Sequence, residues 1–160
     1  MSSSRPDTAA TKRDVDSKEN IDKFIYAKEA TTYDNLLLDG SISNADVRYG
    51  NGDSGLHLIP YTGYGDYEGI DTDILISYLL TCDPPADVNG RDRGGYTPMF
   101  VAASYNNTSA MKVLIDFGGD RTIKTNSNAI NPNVTPLDRA KEWNNQGSIT
   151  MLTECLPSEE

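Results

Sequence analysis

The sequence predicts an all-α solenoid of short helix-turn-helix units, and three observations carry that expectation. First, Gly95-Tyr96-Thr97-Pro98-Met99-Phe100-Val101-Ala102-Ala103 and Asn133-Val134-Thr135-Pro136-Leu137-Asp138-Arg139-Ala140-Lys141 share one pattern: Thr-Pro, an apolar residue, two variable residues, then Ala. Second, each copy is followed by a polar break and another apolar segment, Ala110–Ile115 in one and Ser148–Leu152 in the other. Third, neither pair of segments is large enough to bury its own apolar face, so the units must stack. The 160 residues suit one such domain.

In chain order, residues 1–20 are rich in Ser, Thr, Asp and Lys and read as a flexible tail. Order is expected from Ile21. Phe24, Ile25 and Ala27 recur at helical spacing, the Thr31-Thr32 pair interrupts, and Tyr33, Leu36 and Leu37 supply a second face that Asp39-Gly40 ends. An altered copy of the unit follows: Gly52-Asp53-Ser54-Gly55-Leu56-His57-Leu58, then Leu75, Ile76, Leu79 and Leu80, then the link Pro85-Ala86-Asp87-Val88-Asn89. In the next unit Thr97 is a natural N-cap and Pro98 suits the first helical turn. Met99, Ala102 and Ala103 share one face, Asn106 or Asn107 ends that helix, and the second helix runs to Gly118. The copies start at Ser54, Thr97 and Thr135, so they are spaced 43 and 38 residues apart.

These residues resemble the ankyrin repeat, whose period is about 33 residues and whose signature is Thr-Pro-Leu-His-x-Ala. The stretch Asp87 to Asp120 follows that pattern without a gap, from the entering Asp-Val-Asn to the closing Gly-x-Asp. The resemblance covers residues 21–156 as four repeats, approximately 21–46, 47–89, 90–123 and 124–156, with a short tail at 157–160; the first resembles an N-terminal capping repeat. Departures are clear. Gly55 replaces the signature proline, and Pro60 stands at the second alanine, where it should end the helix early. Tyr61–Thr72 and Asn126–Pro132 are insertions expected on the surface. The second repeat, Ser54–Asn89, is thus the expected weak link of the stack. The resemblance implies projecting finger loops, binding through finger tips and the exposed side of the first helices, and a protein-binding rather than an enzymatic role.

Charge narrows the partners. With 24 acidic and 14 basic residues, the formal charge is −10. The first twenty residues balance, so the excess falls on the folded body, which repels nucleic acid and anionic membranes. It favours a protein partner with a basic surface; it reads equally as a solubility device. No apolar run approaches the ~20 residues of a membrane span, and no secretory signal is visible, so a monomeric cytoplasmic protein is expected, with nucleus or an organelle-associated assembly left open. Cys82 and Cys155 fall after the second helices of repeats two units apart and are expected as free thiols.

Chemistry-bearing residues are few. The single histidine, His57, occupies the histidine of the signature, which in the family is structural. Two cysteines and one histidine are too few for a closed zinc site. Asp66, Glu68, Asp71 and Asp73 do not have the spacing of a calcium loop and read as a solvated acidic loop. No cofactor or metal is expected. The resemblance directs attention to variable positions: Tyr49, Arg91, Arg93, Tyr96, Tyr105 and Trp143, joined by Tyr64 and Tyr67 of the inserted loop, are the candidate partner-binding residues, since aromatic and Arg side chains supply most interface hot spots. Trp143 reads equally as a cover for the last repeat. The expected function is an intracellular adaptor or inhibitor; a structural subunit of a large assembly and an acidic chaperone for a basic protein are the alternatives.

Overall fold

The structure is a computed structural model, and it describes residues 15–27, 29–61 and 72–154. Among them are eight α-helices in four successive pairs: α1 (Lys18–Ile25) and α2 (Ala30–Leu38), α3 (Gly55–Leu58) and α4 (Thr72–Thr81), α5 (Pro98–Ser104) and α6 (Thr108–Asp116), α7 (Pro136–Glu142) and α8 (Gln146–Glu154). Odd-numbered helices pack against odd ones and even against even, so two layers of helices run along the stack. This is the all-α solenoid that the repeated pattern predicts.

Local chemistry starts α5 and α7. The Thr97 hydroxyl accepts from Phe100 N at 3.2 Å, and the Thr135 hydroxyl accepts from Asp138 N at 3.1 Å. The Asp138 carboxylate returns the favour to Thr135 N at 3.1 Å, closing a capping box. At the end of α5 and α7 the chain turns through Asn106 and Asn144, both left-handed, with φ of 54° and 57°. Asn tolerates that region better than most residues. Asn107 and Asn145 follow and begin the second helices.

Burial of apolar side chains holds the layers together. Phe24, Tyr33, Leu56, Ile76, Leu79, Met99, Met111 and Leu114 are all buried, and Ala102, Ala103 and Ala140 bring neighbouring first helices close. Between the repeats run fingers with one hydrogen-bonding plan. Tyr49 N donates to Asp53 O, Asp92 N to Tyr96 O, and Thr125 N to Val134 O, each at 3.0–3.1 Å. Neighbouring fingers are joined as well: Arg93 N donates to Asn51 O, and Asn126 N to Gly94 O. The close approach explains Gly52, whose φ is 88°; a Cβ there would lie 2.8 Å from Asp92 Cα.

One boundary differs from expectation. The ordered body begins before Ile21: Ser17 caps α1 by accepting from Asn20 N, and the Asp16 carboxylate receives Ser43 N and its hydroxyl. Capping and turn bonds, invisible to an apolar-periodicity argument, extend the first unit. The sequence also places the end of the last repeat at residue 156; α8 is described to Glu154, and residues 155–160 lie outside the described residues. Pro60 acts as expected: α3 is four residues long and gives way to a 3-10 turn, Ile59–Tyr61. Most of the Tyr61–Thr72 insertion, with Tyr64, Tyr67, Asp66, Glu68 and Asp71, lies outside the described residues.

Two outcomes are expected. Amides of Leu56–Ile59 should exchange with solvent faster than those of Met99–Ala103, because α3 is one turn of helix; hydrogen exchange read residue by residue tests this. Asn145→Ala should cost about 1–3 kcal/mol in chemical denaturation, because the Asn145 side chain donates to the carbonyls of Ala103 (2.9 Å) and Ser104 (3.0 Å) inside the stack.

Candidate functional site

A groove of about 460 Å³ runs along the exposed side of the first helices and the finger bases. Residues of three repeats line it: Asp53 from the second, Asp92, Tyr96, Phe100 and Tyr105 from the third, and Arg139 and Trp143 from the fourth. The fold aligns them because first helices stack in register, so residues near each helix start and end form rows.

At the α7 end, the Arg139 side chain lies between two rings. Its guanidinium carbon is 4.6 Å from the Trp143 ring centre and 5.4 Å from that of Phe100. Arg139 is 5% exposed, and its Nη1 donates to Glu142 Oε1 at 2.7 Å. Its Nε has no hydrogen-bond partner, an unmet donor in the groove wall. Trp143 is 51% exposed, and Tyr105 meets it edge-on at 6.5 Å between ring centres. The indole therefore both covers a cation and faces solvent.

At the finger end, Tyr96 packs against Phe100 with ring centres 5.0 Å apart. The Tyr96 hydroxyl accepts from Asn131 N at 3.4 Å and so braces the inserted loop 126–132. Ile130, the residue before Asn131, is 94% exposed. Beside Tyr96 stand two carboxylates. Asp92 Oδ1 accepts from Gly94 N (2.9 Å) and Tyr96 N (3.0 Å), and Asp53 Oδ2 accepts from Asn51 Nδ2 (3.0 Å). Burial, followed by the hydrogen bond and charge of Asp92, pushes the Asp53 carboxyl up to about 6.

His57 lies behind this end, fully buried. Ser54 N donates to its Nδ1 at 3.1 Å, so the proton is on Nε2, which donates to Tyr96 O at 2.9 Å. Burial lowers its pKa and keeps it neutral. Nδ1 caps its own helix through Ser54 and Nε2 joins the second repeat to the third, in line with the structural role implied by the signature.

The structure brings Tyr96, Tyr105 and Trp143 together in the groove and sorts the other candidates apart. The Tyr49 hydroxyl bonds to Asp22 Oδ1 on α1. Arg91 is exposed, yet its Nη2 donates to Lys124 O (2.9 Å) and Asn126 Oδ1 (2.8 Å). Arg48, at the same register one repeat earlier, donates likewise to Arg91 O at 3.0 Å. The two arginines bind finger to finger. Arg93 is exposed at the finger tip. Tyr64 and Tyr67 lie outside the described residues. Sequence reasoning missed Asp53, Asp92, Phe100 and Arg139. One signal was present: Phe100 stands at the histidine position of its repeat, where an aromatic ring points toward the groove.

Among the described residues no three His, Cys, Asp or Glu side chains converge on a point, and no helix is long and apolar enough to cross a membrane. Cys82 carries a free thiol whose pKa is raised by burial and by Asp34; Cys155 lies outside the described residues.

Residues 79–132 match a family model described as ankyrin repeats (many copies). The chain is 29% identical over 110 residues, 69% of its length, to delta-latroinsectotoxin-Lt1a of Latrodectus tredecimguttatus, of which the match covers 8%. It is 32% identical over 71 residues, 44% of its length, to an ankyrin repeat protein of Rickettsia bellii, of which 39% is covered. It is 36% identical over 53 residues, 33% of its length, to an ankyrin repeat-containing protein of Schizosaccharomyces pombe, of which 24% is covered. The chain thus spans well under half the length of each of these relatives.

The raised Asp53 carboxyl has a consequence for stability. Its folded value is above the ordinary 3.8, so folding takes up a proton between those two values. The fold therefore loses stability as pH rises toward about 6, and the full penalty remains above it. Asp53→Asn should raise the melting temperature near neutral pH and leave it unchanged in acid below the ordinary carboxylate range. Thermal unfolding of both proteins across that pH range is the measurement; equal gains at both ends would assign the effect to something other than this carboxyl.

Proposed function

We propose that the chain, whose residues 79–132 match ankyrin repeats, acts as an adaptor or inhibitor that holds a partner protein in the groove between Asp53 and Trp143. Ankyrin repeats form a general protein-interaction fold, and one observation supports this groove as the working face. Trp143 is half-exposed beside Tyr105 and a stacked arginine, in a concave surface lined by residues of three repeats. Aromatic side chains held rigid before binding give contact area at low entropic cost. Arg93 at the finger tip extends the same face. The formal charge of −10 favours a partner with a basic surface. A cytoplasmic setting and a monomeric state belong to this reading.

A second reading, a subunit of a larger assembly, draws on Leu38 at the end of α2, which is 80% exposed on the other layer of helices.

The double variant Arg93→Ala, Trp143→Ala should weaken binding to a partner recovered with the wild-type chain by at least ~2 kcal/mol, with native circular dichroism retained. Equal affinity would remove this face from consideration. Leu38→Ser should leave that affinity unchanged; loss of the partner with Leu38→Ser alone would favour the assembly reading.

A further inference from the structure

Resting on the groove as the binding face, we propose that its occupant is an extended segment of a partner protein that carries a lysine or arginine beside an apolar side chain. The cation meets Asp53 and Asp92, and the apolar side chain meets Ile130 and Trp143.

Among the described residues, two carboxylates of the groove wall lack a salt-bridge partner. Asp53 and Asp92 both line the groove wall, close enough that Asp92 helps burial to push the Asp53 carboxyl up. Among the described residues no cation lies within 4.0 Å of either carboxylate. Three of the neighbouring arginines bond elsewhere, although the charge of Arg48 still acts weakly on Asp53. Arg48 pairs with Asp46 at 3.1 Å, Arg139 pairs with Glu142, and Arg91 serves the carbonyl of Lys124. His57 is buried and neutral. Asp92 cannot turn away, because two backbone amides hold it. A pair of carboxylates crowded this way costs free energy that an incoming ammonium or guanidinium recovers.

The surroundings suit such a side chain. Next to the carboxylates are the rings of Tyr96 and Phe100, on which the methylenes of Lys or Arg pack while the charged head remains polar. The groove volume accommodates a few side chains and not a folded domain. Its rim is shaped by the insertion. Arg91 and Asn126 tie that loop to the third finger, and Asn126 Nδ2 donates to Arg93 O at 2.9 Å. Ile130 is an apolar side chain in water, next in sequence to Asn131, which lines the groove and is bonded to the Tyr96 hydroxyl. Loop length and the paired carboxylates are features of this chain's own residues, so they define specificity and not merely the presence of a binding face.

Binding of this kind is linked to protons. The charged and titratable groups around Asp53 are Asp92, Arg48 and His57, and Asp92 with burial dominates. A cation favours the ionised form, so binding near pH 6 releases a proton.

The test pans a random-peptide phage library against the full 160-residue chain, and titrates the selected peptide by calorimetry. Peptides should be enriched in Lys or Arg next to an apolar residue. Asp53→Asn should weaken the selected peptide at least about tenfold near neutral pH, and Ile130→Ser about threefold. In buffers of different ionisation enthalpy, wild type should release protons near pH 6 and Asp53→Asn should not. Circular dichroism confirms that each variant is folded. A peptide lost on Trp143→Ala but indifferent to Asp53→Asn overturns the cation seat while leaving the groove as the binding face. A peptide indifferent to both substitutions overturns the groove as well. Selection without Lys or Arg enrichment, or no selected peptide at all, overturns the proposal.

Discussion

The carbonyls at the end of each short first helix are the constraint on which the stack depends. A helix of seven residues leaves its last carbonyls without helical partners. In α5 those of Ala103 and Ser104 face the interior of the stack, where the residues are buried from water. The Ala103 carbonyl accepts from Asn106 N of its own repeat, and the next repeat adds Asn145 Nδ2 to both carbonyls and Ser148 Oγ to that of Ala103. Asn107 does the same for Pro60 of the repeat before it, at 3.1 Å. Each unit is therefore incomplete in its hydrogen bonds as well as in its apolar burial until a neighbour docks. The fixed position of that donor sets the register between first helices, and the register builds the groove.

Polar bonding between the fingers complements this. The ladder of Arg48 to Arg91 O and Arg91 to Lys124 O links successive fingers at equivalent positions. Two residues that look like exposed cations are thus structural, and the net negative character of the groove's finger end follows from it. Burial and the nearby Asp92 then hold the Asp53 carboxyl up at about 6, against the weaker pull of Arg48.

Much of the fold was legible because the repeat signature is a set of local rules. Thr97-Pro98 and Thr135-Pro136 start helices by capping, and Pro60 stops one by lacking a donor. The Asn-Asn pairs after Tyr105 and Trp143 were visible as breaks, yet their division of labour was not: the first asparagine takes the left-handed turn and the second reaches across to the preceding repeat. The site was legible where a side chain's position follows from repeat register, as for Tyr96, Tyr105 and Trp143. It was illegible where position follows from contacts between repeats. Nothing local to Arg139 announces that Phe100, 39 positions earlier, will lie 5.4 Å from it, and nothing local to Asp53 announces Asp92. The early start at Ser17 escaped for a similar reason, since Asp16 is held by Ser43 across a turn.

The indole of Trp143 has one more consequence. It is the chain's single tryptophan, half in solvent and half over a guanidinium at the edge of the groove. Indole emission shifts with the polarity around the ring and is quenched by nearby charge. Any segment that settles there exchanges water for protein on one face of the ring and disturbs the cation on the other. The molecule therefore carries an optical reporter of its own occupancy, with no competing fluorophore of the same kind elsewhere in the sequence.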